Sequence, residues 1–479
     1  MIPPIGTNVR RVTLLIALAF LVTSIGVGYW SLVDAAQLSS DPYNPRLLAT
    51  LHDRPRGRIV AADGTVLAES VRTPNGYQRR YTDPTLAQVV GYASFKYGAT
   101  GIEGAYAEAL VGRDPSDPLG QWRERYLREQ PTPGSVQLGI VPAVQRAAAS
   151  ALAGRKGAVI ALDPRTGAVV ASVSDPTYDP NLIVTAATQD QAWQQVSSAA
   201  DRPLLDRARN GLYPPGSTFK LVTASAGLES GWDPNAEVRV DDPFQADKSW
   251  GNYYVRSPTH AHGFFNMSLA FQRSENIYFA KLGLQIGGAR LAEYASRFGV
   301  GASPGADLGG AAGQLSDSGQ LDRPILVADT SYGQGQLLVS PLRMALIAAT
   351  IARGGSLPIP HYATAVLDAN GRPLRLVDPG SAGQVVSART AATVTADMVA
   401  AVEAPGAFAY PAKIPGVQVA GKTGTAENGR PGFPHGWFVG FAPAASPSIV
   451  VAVVIEYDPG GGLDAAAVGG TVMRAALGK

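Results

Sequence analysis

The chain has 479 residues and a formal net charge of +2, with 46% hydrophobic and 16% charged residues. That composition can bury a substantial core, which excludes wholesale disorder, and the length corresponds to about three domain-sized units. The near-neutral balance lacks the concentrated basic face that nucleic-acid binding needs, and the absence of cysteine excludes a disulfide framework, a thiolate metal site and a cysteine nucleophile. Of the five histidines only His260 and His262 stand close together. No further ligand set accompanies them, so they read as a loop pair and not as a metal site.

Val12 to Val33 contains no charged residue, and its 22 residues, at about 1.5 Å each, span a hydrocarbon core of about 30 Å. Arg10 and Arg11 precede the stretch and Asp34 follows it, an asymmetry that leaves residues 1–11 in the cytoplasm and sends the remainder across the membrane. Tyr29 and Trp30 fall where an interfacial aromatic belt would lie. The alternative is a cleaved signal peptide with Ala35 and Ala36 at the cleavage site. Signal-peptide apolar cores run about 7–15 residues, and this longer one favours a retained single-pass anchor at residues 12–33.

Residues 34–150 are irregular and rich in Pro, Gly and Arg. Ile59-Val60-Ala61 and Thr65-Val66-Leu67 flank Asp63-Gly64, a hairpin turn signal. Asp114 to Gly120 reads as a loop, and a linker-like stretch from Ala148 to Lys156 leads into a second unit, residues 155–479. That unit opens with a hairpin, Ala158–Leu162 and Ala168–Ser172 around Asp163-Pro164-Arg165-Thr166-Gly167. Further strands are expected at Val417–Val419, Trp437–Phe441 and Ile449–Tyr457. The last is nearly all β-branched or apolar, as a central strand covered on both faces would be. Ala465–Leu477 closes the chain as a helix. A long Ala- and Leu-rich helical insertion separates the hairpin from the later strands, so strands from both ends meet in one sheet and the fold class is α+β.

Ser217-Thr218-Phe219-Lys220 follows Tyr213-Pro214-Pro215-Gly216 at the predicted start of a helix. Residues i and i+3 share a helix face, so Lys220 can reach the Ser217 oxygen. A serine hydroxyl needs an adjacent base; a lysine with a lowered pKa can be that base and arginine cannot. Only eight of the 40 cationic residues are lysines. Taken alone, Ser-x-x-Lys arises by chance about once in a chain of this length, and an N-terminal serine with an exposed lysine would explain it equally. Ser274-Glu275-Asn276 lies within a predicted helical stretch, Asn266–Leu284, and offers a hydroxyl and an amide to a cavity. Lys422-Thr423-Gly424-Thr425 follows the Val417–Val419 strand; a strand edge with a cation, two hydroxyls and a bare glycine can hold a carboxylate beside an extended peptide.

In this order the three motifs resemble those of the penicillin-recognising acyl-serine transferases. The resemblance extends over Gly157–Asn181, over Ser331-Tyr332-Gly333-Gln334-Gly335-Gln336 with Ser340-Pro341-Leu342, and over His435–Gly440. The glycine run lacks the lysine and hydroxyl of a phosphate loop, and Ser340-Pro341 is expected to cap a helix. Arg56-Gly57-Arg58-Ile59, Asp63–Ala68 and Gly101-Ile102-Glu103 resemble the pedestal motifs of class B penicillin-binding proteins, and the short pedestal is similar to that of the compact actinobacterial penicillin-binding protein A.

The resemblance implies a serine β-lactamase/transpeptidase-like domain: an antiparallel sheet with helices on both faces and a helical subdomain, carried on the anchor and pedestal. It implies acyl transfer on the D-Ala-D-Ala end of peptidoglycan stem peptides, without metal or cofactor, and acylation by β-lactam antibiotics. Ser217 would be the nucleophile and Lys220 its base, made neutral by the nearby positive Lys422. Ser274 would relay a proton and Asn276 would orient Lys220 and the substrate. Lys422, Thr423 and Thr425 would hold the terminal carboxylate, with Gly424 close to the peptide, while the backbone N–H groups of Ser217 and Thr425 form the oxyanion hole. Glu275 would face outward. A membrane glycosyltransferase of the SEDS type would be the partner. A D,D-carboxypeptidase, or a β-lactamase or β-lactam sensor of the same fold, is the alternative enzyme reading, and a non-enzymatic scaffold the alternative outside catalysis.

Overall fold

The computed structural model describes residues 5–32, 54–74, 76–113, 120, 122–127, 129–377, 380–429 and 432–479. Asp34, the Ala35-Ala36 pair and most of the Asp114–Gly120 loop lie outside them. Helix α1 covers Ile5–Leu32 and includes Arg10 and Arg11; its Val9–Trp30 segment, 22 residues of mean hydropathy 2.2, is long and apolar enough to cross a membrane.

Strands β1 (Ile59–Val60) and β2 (Val66–Thr73) pair antiparallel. Their turn has Gly64 at φ +84° and the Thr65 N–H donating to Asp63 Oδ1 at 2.9 Å, as an Asp-Gly hairpin requires. β3 (Gly76–Tyr81) and β4 (Ser135–Leu138) follow. Then come helix α2 (Pro142–Leu152), strands β5 (Gly157–Leu162) and β6 (Val169–Asp175), and helices α3 (Lys220–Glu229), α4 (Met267–Gln272), α5 (Asn276–Ile286), α6 (Pro324–Ser331) and α7 (Pro341–Ala352). Strands β7 (Ala363–Leu367) and β8 (Pro373–Leu376) and helix α8 (Ala388–Glu403) lead to β9 (Ala420–Ala426), β10 (His435–Ala442), β11 (Ile449–Ile455) and helix α9 (Gly462–Ala476).

The second sheet runs β9-β10-β11-β5-β6, every neighbour antiparallel. The buried strand β11 lies at its centre, and successive side chains serve two cores. Val450, Ala452 and Val454 pack in the core that includes Leu342, Leu346 and Ile347 of α7. Ile449, Val451, Val453 and Ile455 pack with α2 and α9. The continuous apolar run is thus the period-2 signal of a strand covered twice.

The linker reading of Ala148–Lys156 is corrected. Residues up to Leu152 belong to α2, whose Val144, Ala148 and Leu152, four residues apart, form a buried stripe against the sheet. Gln145 pins that helix to edge strand β6, its Nε2 donating to Ser172 O at 3.0 Å and its Oε1 accepting from Ser172 N at 2.8 Å. Small alanines between polar residues hid the stripe.

The first sheet runs β8-β7-β4-β1-β2-β3, so strands from residues 363–376 complete the sheet begun near residue 59. A buried ionic centre organises this unit. Glu103 lies 3.0 Å from Arg56 Nε and 2.6 Å from Arg79 Nη2, with all three side chains at most 3% exposed. Arg56 also donates to Glu103 O at 2.9 Å, and Arg79 to Gly57 O at 3.1 Å. Removing one member of a buried pair leaves an uncompensated charge. Glu103→Ala is therefore expected to destabilise the protein by about 3–5 kcal/mol, read as a lowered urea midpoint of the detergent-purified chain by tryptophan fluorescence.

Candidate active site

The turn before Ser217 is held at each residue. Tyr213 exchanges two backbone hydrogen bonds with Val339, at 3.0 and 2.9 Å. Pro214 O accepts from Trp437 Nε1 at 2.9 Å, Pro215 O accepts from Thr218 Oγ1 at 2.7 Å, and Gly216 N donates to Gly333 O at 2.8 Å. Gly216 has φ +54°, and a Cβ there would lie 2.8 Å from Thr425 O. A Cβ on Gly333 would lie 1.9 Å from Gly216 O. The Ser331–Gln336 run therefore lets two backbones touch and fixes the nucleophile turn. Ser340 caps α7 as expected, its Oγ accepting from Arg343 N at 3.2 Å.

Gly216–Phe219 is a 3₁₀ turn, tighter than the helix start expected, and α3 begins at Lys220. In a 3₁₀ turn residues i and i+3 eclipse, which sets Lys220 Nζ 2.9 Å from Ser217 Oγ. The rest of α3 is buried up to Gly227, and Lys220 itself is 0% exposed.

The predicted continuous helix around Ser274 is broken in two. α4 ends at Gln272, α5 starts at Asn276, and Ser274 adopts φ +54°, a strained region for a residue with a Cβ. The break turns Glu275 inward. Glu275 is buried, not outward-facing: it caps α5 by accepting from Ile277 N at 3.0 Å and accepts from Ser257 Oγ at 2.6 Å. A carboxylate at a helix N-terminus is favoured by the macrodipole. The same break brings Ser274 and Asn276 to Lys220, whose Nζ is 2.6 Å from Ser274 O, 2.8 Å from Asn276 Oδ1 and 3.5 Å from Ser274 Oγ. Asn276 Nδ2 donates to Arg256 O at 3.0 Å, which orients its amide.

Lys422-Thr423-Gly424-Thr425 lies within strand β9 and not after a strand at Val417–Val419. β9 is the edge of its sheet, and its Thr423, Gly424 and Thr425 line the site. Lys422 Nζ donates to Ser274 Oγ at 2.8 Å and to Thr423 O at 3.0 Å. A Cβ at Gly424 would fall 2.8 Å from Pro215 O, so the bare glycine lets the strand lie against the nucleophile turn. Ser217, Ser274, Asn276, Thr423, Gly424 and Thr425 line one cavity of about 690 Å³.

Burial pushes the Lys220 ammonium well below the usual lysine range, the Lys422 charge pushes it further, and Glu275 opposes both. Like-charge repulsion, expected from the sequence as the cause, ranks second to desolvation. Burial lowers Lys422 to about 7.

The cavity has further walls that motif reading missed: Tyr253, Arg256, Asp329, Tyr332 and Glu427. Tyr332 belongs to the flagged glycine run; the others carried no local signal. His260 and His262 lie apart from this cavity, each beside a different aspartate, His260 Nδ1 at 2.8 Å from Asp242 and His262 Nδ1 at 3.7 Å from Asp241.

A penicillin-binding protein transpeptidase domain is matched over residues 157–474 and a penicillin-binding protein A dimerisation domain over residues 56–136. The peptidoglycan D,D-transpeptidase PbpA of Mycolicibacterium smegmatis is 34% identical, the match covering 98% of this chain and 99% of that protein. PbpA of Mycobacterium tuberculosis is 32% identical with the same coverage. A solved structure of M. tuberculosis penicillin-binding protein A, a ceftriaxone acyl-enzyme complex, matches with a TM-score of 0.83 and 32% identity over 90% of this chain and 100% of that one. Fold, motif geometry and near-full-length similarity agree, and the chain belongs to the penicillin-binding protein transpeptidases.

Proposed function

We propose that this protein is a membrane-anchored peptidoglycan D,D-transpeptidase that works through an acyl-enzyme on Ser217 and is trapped there by β-lactams. The observation that carries the reading is the coordination of Lys220. A neutral amine has two N–H bonds and one lone pair. In the neutral form the two carbonyl oxygens, Ser274 O and Asn276 Oδ1, can take both N–H bonds while the lone pair faces the Ser217 hydroxyl 2.9 Å away.

Lys220 removes the Ser217 proton as Oγ attacks the penultimate D-alanine carbonyl. The oxyanion is held by the backbone N–H groups of Ser217 and Thr425, the kind of preorganised donors that contribute about 3–4 kcal/mol each. Ser274, between the two lysines, passes the proton to the departing D-alanine. Lys422, Thr423 and Thr425 anchor the terminal carboxylate. An amine from a second stem peptide then displaces Ser217 and makes the cross-link. Water in place of that amine would give a D,D-carboxypeptidase. Residues 1–11 face the cytoplasm, 12–33 anchor the chain, 34–150 form the pedestal, its sheet completed by β7 and β8, and 155–479 form the catalytic unit outside the membrane, on whose sheet α2 packs, with a SEDS-type glycosyltransferase as partner of anchor and pedestal. Co-purification with such an enzyme in detergent checks the partnership.

Ser217→Ala should abolish covalent labelling by fluorescent penicillin and all cross-linking of stem-peptide substrates, and the wild-type acyl-enzyme should persist far beyond seconds. Lys220→Arg, which keeps the charge but cannot act as a base, should slow acylation by about 10²–10⁴-fold. The acylation rate constant of the free enzyme should be bell-shaped in pH. It falls in acid as Lys220 gains a proton and loses its lone pair. It falls above about 7, where Lys422 loses the charge that attracts the carboxylate. Lys422→Arg should move the alkaline limb upward.

A further inference from the structure

The transfer needs two substrates of opposite charge in one cavity. The donor ends in a carboxylate and is drawn to Lys422, Thr423 and Thr425. The acceptor brings an amine that is an ammonium group at neutral pH. A built anionic group stands in the same cavity: Asp329, at the end of α6, with 9% of its surface exposed. Its Oδ1 accepts the hydroxyl of Tyr332 at 2.6 Å and that of Tyr253, and the two hydroxyls lie 3.1 Å apart. The backbone around it is tight, Asp329 O accepting from Gln334 N at 2.9 Å. A Cβ on Gly335 would lie 3.1 Å from Asp329 Cβ.

Both tyrosines occupy one carboxylate oxygen. Among the described residues no cation pairs with Asp329, although Arg256 lines the same cavity. The charged neighbour that acts on Asp329 is Glu427, a like charge that also lines the cavity. A desolvated carboxylate held by two hydroxyls and unmatched by a cation costs stability unless a positive group arrives.

We propose that Asp329, oriented by Tyr253 and Tyr332, is the residue that binds the ammonium group of the incoming acceptor. This deepens the transpeptidase reading and rests on it. The ammonium group is captured at Asp329 and sheds one proton to solvent. The free amine then forms the new N–C bond at the acyl carbonyl while the C–Oγ bond to Ser217 breaks. The second proton of the attacking nitrogen returns through Ser274 and Lys220 to Ser217 Oγ.

The test divides a preformed acyl-enzyme, made from a peptide thioester, between hydrolysis and aminolysis. Two acceptors are compared: Nα-acetyl-lysine, whose only amine is a side-chain ammonium group, and hydroxylamine, which is uncharged at neutral pH. Asp329→Asn should lower the aminolysis-to-hydrolysis ratio for Nα-acetyl-lysine by about tenfold or more, chiefly through acceptor KM, and change that for hydroxylamine by less than about threefold. An equal fall for both acceptors, or no fall for either, overturns the proposal, while acyl-enzyme formation in the wild type tests the parent reading separately. Should the variant not fold, the wild type decides. Nα-acetyl-Nε-trimethyl-lysine, a cation without a nucleophile, should compete with Nα-acetyl-lysine at least about tenfold better than uncharged Nα,Nε-diacetyl-lysine does. Equal inhibition by the two overturns the proposal.

Discussion

Two buried amines on one hydroxyl set the terms for the rest of this structure. Lys220 and Lys422 are at most 1% exposed, and both contact the side chain of Ser274. Placing two ammonium ions there would combine two desolvation costs with a direct repulsion, so at least one amine gives up its proton. The surroundings favour Lys220 as that one: burial and the Lys422 charge both lower it, whereas burial alone lowers Lys422. Lys220 meets two carbonyl-type oxygens and the Ser217 hydroxyl, so on losing a proton it keeps both carbonyl bonds and turns its lone pair to Ser217. Lys422 sits on the edge strand β9, where, in the role proposed for it, a retained charge would serve to bind the substrate carboxylate. In the proposed roles pair and substrate are complementary, because a donor carboxylate at Lys422 would stabilise its proton and so keep Lys220 free of one.

That arrangement depends on backbones approaching closer than side chains permit. Gly216, Gly333 and Gly424 each stand where a Cβ would collide with a neighbouring carbonyl. Through them the nucleophile turn, the loop after α6 and strand β9 form one contact. The sheet behind is packed on both faces, its central strand filling two cores at once. The 3₁₀ turn at Ser217 and the left-handed Ser274 are local strains held by this frame, as functional sites commonly show.

Much of this was legible in the residues. The long apolar first helix, the hairpin around Asp63-Gly64, the central strand β11, the closing helix and the serine–lysine pair each carry a local signature, either apolar run length, turn chemistry or spacing. What escaped was set by tertiary contact. Glu275 looked like a surface carboxylate because the helix break at Ser274, which turns it inward, needs no glycine or proline. α2 looked like a linker because alanines and polar residues crowd around its short buried stripe of Val144, Ala148 and Leu152. β9 was displaced by three residues because Lys422 and Thr423 do not look like buried strand positions, and yet both are buried. Arg79, which joins Arg56 at Glu103, and Asp329, which joins Tyr253, belong to no motif; their partners lie 24 and 76 positions away in sequence.

The central claim is that Lys220 is neutral while Lys422 carries the shared positive charge. The most direct measurement is the ¹³Cε chemical shift of lysine in the isotopically labelled protein as a function of pH. With eight lysines in the chain, the two signals can be assigned by comparison with Lys220→Arg and Lys422→Arg. As pH rises, the Lys220 resonance should take the shift of a free amine before that of Lys422 does, the Lys422 transition lying near 7. A Lys220 signal that remains an ammonium through neutral pH and titrates in the ordinary lysine range would contradict it.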